Sequence, residues 1–182
     1  MIHNLFLEFF STALMILFGV GVHCDEVLNK TKYHGSGHLF AITTWAFGIT
    51  VCLYVFGGVC MNPAMVLCKT ILGLLHPGVA ITYMVADMLG GFAGALVVYV
   101  MYADQFKASE DSVDPVAIRN IFSTNPICRD LIRNWFVECL DTTIFLTGIL
   151  MIVKNFEQQV PIGVGLLVWA VGMGLGDVTG FA

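Results

Sequence analysis

Hydrophobic residues in this chain come in long unbroken blocks, not in the alternating or one-faced stripes of a half-buried strand or helix. Five blocks, at residues 5–22, 39–56, 79–102, 135–153 and 160–181, approach or exceed the length of about 20 apolar residues that a bilayer-crossing helix needs. In lipid each segment must satisfy its own backbone N–H and C=O groups, so every block is expected to be a helix. The first block has no basic leader and no small-residue cleavage site, and reads as a retained span. Polar connections occupy 23–38, 103–134 and 154–159, with Tyr99, Tyr102 and Trp135 near block ends, where aromatic side chains favour the interface. His23, His34 and His38 fall in the first connection and are expected to be solvated.

Residues 57–75 break the pattern. The stretch is apolar (Val59, Met61, Met65, Val66, Leu67) yet interrupted by Gly57-Gly58 and by Asn62-Pro63. Asn62 suits a helix N-cap and Pro63 the first helical position. The helix that follows, within residues 62–75, has room for only roughly 15–18 Å, half a bilayer. The expectation is a re-entrant half-helix starting near the membrane midplane. Irregular backbone survives at that depth only when it is buried in protein or lines a wet cavity.

Composition agrees with a polytopic membrane protein. The 182 residues are 58% hydrophobic and 12% charged, against about 45–50% and 25% in soluble domains. That balance excludes a disordered chain and most soluble enzymes, and a net charge of −5 offers no basic face for nucleic acid. The six cysteines contain no Cys-x-x-Cys pair, and Cys52, Cys60 and Cys68 straddle three different elements, so no metal site is expected. Five of the 13 acids, Glu8, Asp87, Glu138, Asp141 and Asp177, lie inside apolar blocks, where a charge needs an internal partner.

The blocks also repeat. Phe6, Glu8 and Thr12 align with Phe136, Glu138 and Thr142, and residues 57–60 align with Thr179, Gly180, Phe181 and Ala182. Weak repeats that carry an interrupted segment in corresponding places mark inverted-repeat transport folds. Glu8-x-x-x-Thr12, Asn62-Pro63-Ala64 after a glycine pair, and Gly176-x-x-Thr179-Gly180-Phe181-Ala182 together resemble the aquaporin, or major intrinsic protein, family. Residues 28–32 and 121–124 are similar to its bacterial glycerol-facilitator branch. The resemblance implies an all-α integral membrane fold, a single domain over residues 1–182, here with five transmembrane helices and one re-entrant half-helix. The first repeat (1–102) would be complete. The second (131–182) would lack its own Asn-Pro-Ala half-helix, the arginine after it and the sixth span.

The same resemblance implies roles for particular residues. Asn62 would donate to a passing hydroxyl, with Pro63 and Ala64 starting the half-helix. The carbonyls of Gly58, Val59, Cys60 and Met61 would form a ladder of acceptors. Trp45, Gly172 and Phe181 would form the narrow filter. Glu8 and Glu138 would be structural, accepting hydrogen bonds from half-helix loops. Asp87, Asp141 and Asp177 stand where the family carries glutamine or glycine, and Cys60 where it often carries histidine.

The function implied is passive diffusion of glycerol, water and small neutral solutes across a bacterial plasma membrane. There would be no enzymatic step, cofactor, metal or nucleic acid. The partners would be the lipid bilayer and, for a full-length chain, three further copies in a homotetramer. These 182 residues alone are expected not to conduct. Two rivals differ in kind: a non-conducting or degenerate membrane subunit, and a proton-coupled carrier using Asp87, Glu138 and Asp141. The resemblance places the N-terminus in the cytoplasm, whereas the lysine and arginine count of the connections favours the opposite orientation.

Overall fold

The computed structural model describes residues 2–176, 178 and 179. The elements are α1 (Ile2–Val27), α2 (His38–Phe56), α3 (Pro63–Ile71), α4 (Pro77–Met101), α5 (Ala103–Ser109), α6 (Pro115–Asn120), α7 (Leu131–Asn155) and α8 (Val160–Gly174), with a 3-10 turn at Glu157–Gln159. No strand occurs among the described residues. Four helices, α1, α2, α4 and α7, are long and apolar enough to cross a membrane. Large apolar side chains such as Phe47, Phe92 and Leu96 face outward, as a lipid solvent requires.

Several boundaries differ from the sequence expectation. α1 continues past residue 22 to Val27, which carries His23 inside the helix. The half-helix expected over 62–75 stops at Ile71, and Gly73 turns the chain with φ 71°. That left-handed conformation is open to glycine and closed to most other residues. The block expected to span 160–181 is helical for 15 residues, to Gly174, where the N–H of Leu175 closes the last turn on the carbonyl of Val171. The connection 103–134 is not featureless, because Asp114 caps the start of α6 through the Val116 N–H at 2.9 Å.

The helices pack in the order α7, α8, α2, α1, α4, α3. The α1–α4 contact is the most extensive, and Gly90 and Gly94 of α4 make it possible. A β-carbon on Gly90 would strike the Phe9 carbonyl oxygen, and one on Gly94 the Ala13 carbonyl oxygen. Small residues four apart let membrane helices approach backbone to backbone, where packing and not hydrophobicity holds them. One buried cluster joins Val20, Cys24 and Leu28 to Val98 and Ile121. A second, of Cys52, Leu53, Met61 and Val164, packs the segment before α3 between α2 and α8.

Candidate functional site

The segment 57–61 is irregular backbone lying among helices, and every polar group in it has to be accounted for. Gly57 takes φ 79°, and Met61 takes φ 51° although it bears a side chain. What holds this conformation is Glu8 of α1, only 2% exposed. The Cys60 N–H donates to both Glu8 oxygens at 3.0 Å, and the Met61 N–H donates to Oε2 at 3.0 Å. The carboxylate thus finds the partners that a buried charge needs, and the loop N–H groups find an acceptor without water.

This arrangement decides where the carbonyls point. In a planar trans peptide the C=O of one residue lies opposite the N–H of the next. With the N–H groups of Cys60 and Met61 turned toward Glu8, the carbonyls of Val59 and Cys60 face the other way. Among the described residues no protein donor takes the carbonyl of Gly58, Val59, Cys60 or Met61. Asn62 continues the series. Its Oδ1 accepts the Ala64 N–H at 2.8 Å, which caps α3 and fixes the amide orientation. The Nδ2 donors are left uncommitted among the described residues.

These groups line a cavity of about 770 Å³. One wall carries residues 57–62; the other is apolar and comes from α1, α2, α7 and α8, through Met15, Ile49, Leu53, Phe145, Val164 and Val168. Trp45 and Gly172 also line it, so the structure brings both to the same space as Asn62. Phe181 and Asp177 lie outside the described residues. The Trp45 ring lies over Gly19 of α1, where a β-carbon would meet its six-membered ring.

One expectation needs correction. His23 is not a solvated loop histidine: the Trp45 Nε1–H donates to His23 Nε2 at 3.1 Å, and His23 Nδ1 lies 3.5 Å from Glu26 Oε2. The signal missed was the continuation of α1, which puts His23 one turn beyond Gly19 on the same side. Glu138, matched to Glu8 by the repeat, is half-buried on α7, and the loop it was expected to hold lies outside the described residues. Lys69, in the last turn of α3, lines the cavity with its Nζ 3.2 Å from Cys60 Sγ.

Asp87 and Asp141, two of the acids of the carrier reading, lie on separate parts of the bundle. Asp87 of α4 is 2% exposed; its Oδ1 accepts from Thr12 Oγ1 at 3.1 Å and its Oδ2 has no partner among the described residues. Asp141 is buried on α7, which packs on α8, whereas α4 packs on α1 and α3.

The sequence pattern of the family described as Major intrinsic protein matches residues 1–182. The chain belongs to this family. It is therefore a multi-pass membrane protein of a channel family, whose members are transporters and not enzymes. Among relatives, it is 62% identical to glycerol uptake facilitator protein 4 of Lactiplantibacillus plantarum, over all of this chain and 77% of that one. It is 60% identical, with the same coverage, to the D/L-lactic acid transporter of the same organism. Among solved structures, the aquaglyceroporin from Plasmodium falciparum superimposes with a TM-score of 0.85 at 22% identity, over 99% of this chain and 75% of that one. This major intrinsic protein thus shares a fold with a channel to which its sequence is only distantly similar.

Proposed function

We propose that the cavity is the permeation path of a channel for glycerol, water and small neutral solutes moving down their gradients. The observation that carries this reading is the ordered polar wall. The carbonyls of residues 58–61 are unclaimed among the described residues, those of Val59 and Cys60 turn away from Glu8, and the segment leads to Asn62 opposite an apolar surface across a space of about 770 Å³. A polyol has hydroxyls along one side and carbon along the other, and such a wall replaces its water shell group by group. Asn62 supplies the donor at the start of α3, where the helix dipole is positive and opposes cations. Trp45, Gly172 and, by resemblance, Phe181 would narrow the path, and Glu8 would keep the ladder in place.

For the 182 residues alone we propose little or no conduction. In α7 only 6% of the apolar window is buried, and Trp135 and Phe136 are exposed, so the wall on that side is loosely closed. Assembly as a homotetramer is part of the same proposal. The test is a chimera in which residues 1–182 replace the matching stretch of the 62% identical relative. Proteoliposomes carrying the chimera should swell in glycerol, and those carrying the 182-residue chain should match empty vesicles. A folded chimera that leaves glycerol outside while the parent relative admits it would overturn the reading.

A second permeant class has its own support. A relative at 60% identity bears the name D/L-lactic acid transporter, and small organic acids are proposed as further solutes on that ground.

A further inference from the structure

The cavity wall carries a fixed cation that the polyol reading leaves unused. Among the described residues that line the cavity, Lys69 is the one basic side chain, and Glu157, exposed in the 3-10 turn, the one acidic side chain. Lys69 sits in the last turn of α3, a position from which a lysine can extend past the helix end into water. It does the opposite. Its side chain runs back toward the helix start, following the tilt of helical β-carbons, and places Nζ at Cys60, two residues before Asn62.

There the ammonium is poorly matched. It has three N–H donors, and one meets a thiol sulfur, which is a weak acceptor. No carboxylate lies within ion-pair distance of Lys69 among the described residues. Of the two acids behind the loop, Glu8 is held by the loop N–H groups and Asp87 accepts from Thr12 through Oδ1, and neither lies within ion-pair distance of Lys69. An ionisable side chain that faces an intramembrane cavity with only a thiol for a partner marks a place where a solute completes the set. The Asn62 amide donors face the same space. Together they offer charge and directed donors to a group with two acceptor oxygens.

We propose that Lys69 recognises the carboxyl group of a short monocarboxylic acid, its hydroxyl or carbon tail lying along the ladder of residues 58–61. The proposal rests on the reading of the cavity as the permeation path. Lactate and glycerol are suitable probes, since both have three carbons and a hydroxyl and differ in the carboxyl group. Binding of each to the 182-residue chain in lipid nanodiscs can be read by saturation-transfer NMR, which needs no conduction. The lactate signal should fall roughly tenfold in Lys69→Met, the loss of one charge-assisted hydrogen bond, and persist in Lys69→Arg. The glycerol signal should be unchanged in both.

If Lys69→Met loses its helical circular dichroism, Lys69→Gln supplies the neutral side chain. Lactate binding that ignores residue 69 while glycerol binds would sink the role of Lys69 and leave the polyol path standing. Lactate binding that depends on Lys69 without glycerol binding would uphold carboxyl recognition and overturn the polyol path. Absence of both signals in the unaltered chain would overturn both.

Discussion

The carboxylate of Glu8 and the backbone of Cys60, 52 residues apart in the chain, are joined by N–H···O contacts of 3.0 Å to both oxygens. Removing the carboxylate would leave the Cys60 and Met61 N–H groups without an acceptor, at a cost of about 1–3 kcal/mol each. Glu8→Ala should therefore lower the thermal midpoint of the detergent-solubilised chain markedly. Glu138→Ala, at the matching place in the repeat, has no such contact to lose among the described residues and should change stability by less than about 0.5 kcal/mol. Equal losses at the two positions would contradict the asymmetry.

Asn62 has two separable roles, and substitutions divide them. Asn62→Asp keeps an oxygen to accept the Ala64 N–H, so helix capping and stability should survive. Asn62→Ala should lose about 1 kcal/mol, the usual worth of a cap. In the chimera, Asn62→Asp should abolish neutral-solute selectivity, with glycerol swelling reduced and a potassium leak appearing in a voltage-dye assay. An aspartate variant that still swells in glycerol and stays tight to potassium would remove Asn62 from the path.

His23 holds the Trp45 indole from one turn beyond Gly19. His23→Leu keeps bulk and removes the acceptor, leaving the indole N–H to seek water in the cavity. A red shift of emission is expected, and it should vanish in a Trp45→Phe background, which isolates Trp45 from the other two of the three tryptophans. The cost to stability should be about 1 kcal/mol, one neutral hydrogen bond.

Gly90 is set by backbone proximity alone. Gly90→Leu would drive a side chain into the Phe9 carbonyl, and α1 and α4 would have to separate. Losses from overpacking run to about 1–3 kcal/mol or more. The variant should unfold earlier than Gly91→Leu, where a β-carbon meets nothing within 4 Å.

Most of the frame was legible because lipid leaves the chain few choices. Uninterrupted apolar blocks become helices, and Asn62-Pro63 after two glycines becomes a broken segment with a capped half-helix. The glutamate in α1 was legible as a buried charge in need of a partner, and the family resemblance pointed to the loop. Three things were not legible. Where α1 ends depends on residues 23–27 packing under the connection to α5, where the Asn29 N–H meets Ser109 Oγ at 2.9 Å, and no local signal announces such a contact. The left-handed Met61 follows from the Glu8 clasp, not from methionine's own preference. The inward turn of Lys69 is a matter of rotamer and cavity shape, which spacing does not encode.

The clasp between α1 and the segment before α3 also bears on how the chain is made. Chains emerge from the ribosome N-terminus first, and Glu8 is already in place within the first helix when Cys60 and Met61 are added. The broken segment can therefore meet its anchor before α4 has left the ribosome, and α4 can then close over α1 through Gly90 and Gly94. In that order each element would meet a surface made earlier, and the least regular part of the fold would have the Glu8 carboxylate at hand as soon as it entered the bilayer.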